Sequence, residues 1–448
     1  MFSVVDELLE RFADHFDTRS IVIGQDCWDE GIASLKRHLP DQTWLVAADD
    51  NTWAAAGEAF CARLDAAGVT WQRYQVEMPE NGSDPICTDA RVNAFESAIE
   101  DSGAAAAIAV GSGTINDIVK LAADHRSIPM AVVGTAPSMN GYTSGIAAVL
   151  SEGVKTTIPC TAPRVVIADV DVMAEAPYRM ICSGLGDLMS KPVSNADWQI
   201  SAWLNGTPHS DDAMEIIETG AEMLEGVAPK LPDRDREAVA GLTASLMLSG
   251  LAMSVAGSSS PASGGEHLIS HFIDMTSIAH KLPHDFHGCQ VGVGTIASAL
   301  IYEKLRALSP EDIDIDARVE ALDDWPSYEQ KLRERFGPLF DAVVKHARPG
   351  YPDEDELRRR LTKLRDQWHR LDDEVARTLQ TGASIEQQLD AANCPIRFSQ
   401  LGVKPERARR AIVHSKDIRN RYTILHLGWE LGLLDDWADD VLLRLADE

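Results

Sequence analysis

The sequence predicts an α/β protein in two parts: an N-terminal α/β domain over residues 1–170 and an all-helical domain over residues 171–448. Three observations carry this. Short apolar runs alternate with helical patterns through the first 170 residues, strand signals stop after Asp171, and a Gly-rich turn follows the third apolar run. Residues 20–24, 43–48, 104–110, 129–133 and 164–168 read as buried strands, with helical periodicity over 52–67 and 90–101 between them. Strand–helix alternation of this kind builds βαβ units and a parallel sheet covered on both faces. The run at 104–110 is rich in Ala, a helix former, but its place just before the Gly-rich turn decides for strand. Beyond residue 171, the segments 196–203, 211–224, 235–255, 266–279 and 292–307 carry helical spacing. Residues 353–379 read as one long charged helix, and 309–326 as a surface connector. The longest apolar stretch, 242–256, is short for a membrane span and rich in small residues, so it reads as a buried core helix.

The 448 residues suffice for two domains with a sizeable core. A net charge of -29 repels nucleic acid and anionic membrane, so neither is an expected partner. The same field repels a phosphorylated small molecule at long range, so such a substrate needs a local basic pocket. Seven scattered cysteines, with no CxxC pair, argue against a disulfide framework and fit a reducing cytoplasm. The acidic, amphipathic N-terminus lacks the basic and apolar regions of a signal peptide. Assembly as a homo-oligomer stays open.

Gly111, Ser112, Gly113, Thr114, Ile115, Asn116 and Asp117 follow a strand and open a helix. The two glycines let the backbone approach a pyrophosphate, and the helix N-terminus offers N–H groups and the positive end of a dipole. The pattern is neither GxGxxG nor a Walker loop. A second loop after the next strand, with Thr135, Ala136, Pro137, Ser138, Asn140 and Ser144, is dense in small and hydroxyl residues and suits ribose, phosphate and a nicotinamide ring. Asp49, at the end of its strand, is placed either to accept from a ribose hydroxyl or to cap a helix.

Asp187 lies in a Gly-flanked segment read as a turn just before a helix. His267 and His271 are one helical turn apart, and His287 follows next to a glycine. A carboxylate and imidazoles suit Zn²⁺, Ni²⁺ or Fe²⁺ with an open coordination position. Asp187, His267 and His287 are the expected ligands, leaving His271 for substrate; His280 and His284 are nearby alternatives. Lys191, one turn after Asp187, could hold an anion or pair with Asp187, and Lys155 is a further candidate phosphate partner.

With these residues in view, the chain resembles the glycerol-1-phosphate dehydrogenases of the iron-containing alcohol dehydrogenase and dehydroquinate synthase-like superfamily. The matching pieces are Gly111 to Asp117, Thr135 to Ser138 with Gly141 and Ser144, Gly186-Asp187 with Lys191, and Ser194 to Trp198. They continue in Gly265-Glu266-His267 with His271, in His287-Gly288, and in the segment from Ile418 to Leu425. The resemblance implies a Rossmann-like N-terminal domain, a helical metal domain, NAD(H) or NADP(H), and one divalent metal. It implies cofactor contact for Gly111 to Ile115, Thr135 to Ser138 and Ser144. Metal ligation falls on Asp187, His267 and His287, and substrate contact on Asn140, Asp187 and His271. Four-ligand members of the superfamily carry a second His one turn after the Asp. Lys191 stands there, which favours three ligands and Zn²⁺ or Ni²⁺ over Fe²⁺. Many members carry Asp at position 140, and Asn140 sets this chain apart. The implied reaction interconverts dihydroxyacetone phosphate and sn-glycerol 1-phosphate, with Asp187 and His271 as catalytic residues. A polyol or other hydroxyketone dehydrogenase of the same type, or a dehydroquinate synthase-like lyase, is the alternative.

Overall fold

A computed structural model describes residues 3–79, 85–151 and 154–446. Its sheet contains β1 (Ser20–Gly24), β2 (Trp44–Ala48), β3 (Trp71–Gln75), β4 (Ala106–Gly111), β5 (Met130–Gly134) and β8 (Val165–Asp169), in the order β1-β8-β5-β4-β2-β3. Every pairing in it is parallel. Strands β2, β4, β5 and β8 are buried throughout, which is why they read as unbroken apolar runs. Two elements escaped the sequence. The edge strand β3 is mostly polar and half-exposed, with Arg73 stacked 3.8 Å over the Trp53 ring. The antiparallel hairpin of β6 (Ile146–Ser151) and β7 (Val154–Pro159) stands apart from the main sheet.

The topology fixes where a ligand is received. From β2 the chain steps outward to β3, whereas from β4 it steps the other way to β5. The carboxyl ends of β2 and β4 therefore flank the switch point of the sheet, where open α/β sheets bind their ligands. Asp49 follows β2 directly, and Gly111 ends β4.

The chain divides into two compact units that interleave in sequence. One comprises residues 1–188 and 212–258, the other 189–211 and 259–448. A single cut near 170 would not separate them. The sheet unit keeps the helices Tyr178–Leu188 and Arg236–Ala256, because both bury their small and apolar residues there. Arg236–Ala256 is the one helix among the described residues long and apolar enough to cross a membrane, and its most apolar stretch is 89% buried. The expected long helix at 353–379 stops sooner: Glu354–Asp366 ends at Gln367, whose side chain accepts from the Trp203 indole at 2.8 Å.

Candidate functional site

In the sheet unit, the helix Gly113–His125 starts directly after Ser112. Gly111 is glycine for packing, since a Cβ there would lie 2.6 Å from the Ile115 Cβ. Gly113 is different. Its Cβ would meet nothing closer than the Met139 side chain at 3.8 Å, and its φ is not positive. Nothing in the protein itself demands glycine at 113, which fits a backbone kept bare for a ligand. The Ser112 and Ser138 hydroxyls bond each other, and the Thr135 N–H donates to the Gly111 carbonyl at 3.2 Å, so the two predicted loops form one surface. The Tyr142 hydroxyl donates to Ala136 O at 2.8 Å beneath it.

Asp49 caps the following helix: its Oδ1 accepts from Thr52 N–H at 2.7 Å, and Thr52 Oγ1 accepts from Asp49 N–H. Asn116 and Asp117 turn inward. The Asn116 amide donates to Asp117, whose other oxygen accepts from Ala148 N–H at 3.1 Å. The Ser144 hydroxyl donates to Gly141 O at 3.1 Å. Sequence reasoning missed Lys120, fully buried, which donates to the carbonyls of Gly141 (2.6 Å), Ser144 (3.1 Å) and Ile146 (3.0 Å). Desolvation lowers its pKa. A lone lysine in the apolar run of residues 118–123 was the available signal.

Asp187 does not lie in a turn. Residues 183–187 belong to the helix Tyr178–Leu188, and the turn comes at 189–190. The glycines serve close packing: a Cβ on Gly184 would fall 1.8 Å from Pro137 O, so only glycine lets this helix rest on the second loop. Asp187 is buried and takes the Asn140 N–H at 3.2 Å on one oxygen and the Asn140 side-chain amide at 3.4 Å on the other. The same amide donates to Ser249 Oγ at 3.3 Å. An aspartate at 140 would set carboxylate against carboxylate, whereas the Asn140 amide gives Asp187 a donor that a carboxylate lacks.

In the helical unit, His267 and His271 lie on the helix Gly265–His280, and His287 opens the helix His287–Arg306. Ring centroids are 5.1 Å apart for His267 and His287, 5.4 Å for His271 and His287, and 6.0 Å for His267 and His271. His280 and His284 are exposed and stand outside this set. His267 Nδ1 lies 2.8 Å from Glu266 Oε1, and His287 Nδ1 lies 3.0 Å from Ser270 Oγ. Both rings are thus held at Nδ1, as the non-ligating nitrogen of a metal-bound histidine is. Among the described residues, no three His, Cys, Asp or Glu side chains stand closed as a ligand cage. The donor chemistry nevertheless fits a metal. Behind it lies Asp197, buried, which accepts from Tyr302 OH (2.6 Å), Gly265 N–H (2.7 Å) and Ile424 N–H (2.6 Å). Burial, then the neighbouring Glu266, pushes its carboxyl up to about 7. Lys191 is buried and donates to Ser190 Oγ at 3.1 Å and Ala262 O at 3.2 Å. The Lys155 side chain lies outside the described residues.

Comparison with known proteins gives the family. Residues 22–177 match the iron-containing alcohol dehydrogenase profile. The chain is 30% identical to the glycerol-1-phosphate dehydrogenase (NAD(P)+) of Bacillus velezensis, over 90% of this chain and 89% of that protein. It is 30% identical to the Bacillus subtilis protein of the same name, over 91% and 90%, and 33% identical to that of Pyrococcus furiosus, over 63% and 78%. The probable glycerol dehydrogenase of Sinorhizobium meliloti shares the fold at a TM-score of 0.61 and 16% identity, covering 94% of this chain and 98% of that one. Similarity over nine-tenths of both chains, joined to the loops and imidazoles described above, assigns this chain to the glycerol-1-phosphate dehydrogenase family of iron-containing alcohol dehydrogenases, enzymes that use a nicotinamide cofactor and a metal.

Proposed function

We propose that this protein catalyses the reversible NAD(P)H-dependent reduction of dihydroxyacetone phosphate to sn-glycerol 1-phosphate in the cytoplasm. Asp187, His267 and His287 would hold one divalent metal, Zn²⁺ first and Ni²⁺ or Fe²⁺ after it. The observation that carries the reading is a pair of neighbouring imidazoles each held at Nδ1, His267 by the Glu266 carboxylate and His287 by the Ser270 hydroxyl. When bound, the metal supplies a Lewis acid for the C2 oxygen and the nicotinamide supplies the hydride.

The chain's own residues do the rest. The backbone at Gly111 to Ile115 receives the pyrophosphate, and Asp49 reaches a ribose hydroxyl with the carboxylate oxygen not used in its cap. Thr135 to Ser138 line the nicotinamide side, with Ser144 holding the loop behind them. Asn140 orients Asp187 through two hydrogen bonds. His271 holds the proton delivered to the substrate oxygen, and Lys191 takes the phosphate. None of the seven cysteines forms a disulfide, which suits a reducing cytoplasm. The first unit thereby serves as the dinucleotide domain and also carries Asp187 and Asn140, while the second carries His267, His271 and His287.

The test is NAD(P)H oxidation by metal-analysed protein with dihydroxyacetone phosphate, dihydroxyacetone and glycerol, and stereochemical analysis of the product. The expected outcome is stoichiometric NAD(P)H consumption, strong preference for the phosphorylated ketone, and an sn-1 product. Preference for an unphosphorylated polyol, or turnover without net NAD(P)H consumption, refutes the reading.

A further inference from the structure

The helical unit holds a second cation that the sequence reading did not single out. Arg421 is half-buried, and none of the described ion pairs includes it, although the Glu266 and Asp197 carboxylates act on it through space. One guanidinium nitrogen donates to Ser263 O and the other to Ser259 Oγ at 2.6 Å. Lys191 donates to the preceding carbonyl, Ala262 O. Two cationic side chains from distant parts of the chain thus clasp consecutive carbonyls of one serine-rich turn. Ser194 supports that turn by donating to Pro261 O at 3.1 Å. Desolvation pulls the Arg421 guanidinium down to about 10, which leaves it charged at neutral pH. Guanidinium carries five N–H donors, and the turn engages only two of them.

The two N–H groups that open the following helix are already engaged. Gly264 N–H already donates to Glu266 at 2.7 Å, and Gly265 N–H to Asp197 at 2.7 Å. Two carboxylates, Glu266 and Asp197, occupy the N-terminus of Gly265–His280, so the positive charge at the turn comes from the Arg421 and Lys191 side chains. In a chain of net charge -29, concentrated positive charge of this kind has to be built deliberately.

We propose that Arg421, anchored by Ser259 and joined by Lys191, forms the phosphomonoester subsite that distinguishes a phosphorylated ketone from its free counterpart. The inference rests on the dihydroxyacetone phosphate reading and adds the residue that enforces it. Arg421 reads the phosphate through charge-assisted bonds, and Ser259 fixes the plane of the guanidinium.

The experiment measures kcat and KM for dihydroxyacetone phosphate and dihydroxyacetone in wild type, R421Q, R421K and S259A, with orthophosphate as inhibitor. R421Q is expected to lower the preference for the phosphorylated ketone about 100-fold, chiefly through KM, and S259A about tenfold. R421K should fall between wild type and R421Q. Orthophosphate should compete with the phosphorylated ketone in wild type and raise its melting temperature, but not that of R421Q. R421Q protein with wild-type nucleotide affinity and an unchanged preference overturns the inference while leaving the proposed reaction intact. If R421Q does not fold, S259A decides: an unchanged preference there overturns it. Absence of any orthophosphate effect on wild type overturns it too. Orthophosphate stabilisation that depends on Arg421, in an enzyme preferring some other phosphorylated ketone, supports the subsite and refutes only the named substrate.

Discussion

Gly111 and Gly113 stand two residues apart and are glycine for different reasons. At 111 a methyl group strikes Ile115; at 113 it makes only an ordinary contact with the Met139 side chain at 3.8 Å. Gly113→Ala should leave the melting temperature unchanged or raise it, since alanine restricts the unfolded chain and favours helix by roughly 0.4–1 kcal/mol. The same change should weaken NAD(P)H binding at least about tenfold, because a Cβ then occupies the approach to the pyrophosphate. Thermal melts and nucleotide titration of one variant check both halves; a stable variant with unaltered affinity places the pyrophosphate elsewhere. Glu266→Gln tests the other end of the site. It preserves size but removes the charge behind His267, and metal affinity measured against a competing chelator should fall about 10-fold. The individual ligands and glycines were legible in the sequence because their spacing is local. Asn140, Lys120 and Arg421 were not assigned these roles, since each acts on groups far along the chain: Asp187, the 141–146 carbonyls and the 259–263 turn.

Among the elements, the helix Ile424–Glu430 carries the clearest pH dependence. His426 closes its capping box, with Nδ1 accepting from Thr423 N–H at 3.2 Å. Burial, then Lys416, pulls His426 down to about 3. Its folded pKa lies below the unfolded value near 6.5, so the unfolded chain binds the extra proton between those limits. Stability from this group is complete above about pH 6.5 and declines as pH falls toward 3. His414, lowered to about 4 by burial, acts in the same direction. Melting temperature should therefore drop from pH 7 to pH 4.5, and His426→Gln, which keeps an acceptor in the box, should flatten that slope; an unchanged slope refutes the assignment. Buried strands and amphipathic helices were readable because burial on both faces, or on one stripe, leaves a period in the sequence. The edge strand β3 leaves none, because much of it is solvated, and the break at Gln367 is made by a tertiary bond from Trp203.

At the scale of the whole molecule, charge and chain path matter most. A net charge of -29 opposes the approach of a phosphorylated substrate, and salt screens that repulsion over about 10 Å at 0.1 M. The kcat/KM for dihydroxyacetone phosphate should rise between 10 and 150 mM NaCl, about two- to fivefold, while that for uncharged dihydroxyacetone stays level. Stopped-flow or steady-state rates at matched pH decide it, and a falling value would point to steering by a local positive field instead. The interleaved path of the chain has a consequence for synthesis. The sheet unit is not complete until residue 258 has left the ribosome, while residues 189–211 emerge long before the helices they join. Asp197 must wait for Tyr302 and, last of all, for the Ile424 amide near the end of the message. A nascent chain stalled or cut short before residue 424 would leave a desolvated carboxylate lacking that donor, and such fragments should be cleared by proteases rather than accumulate as half-enzymes.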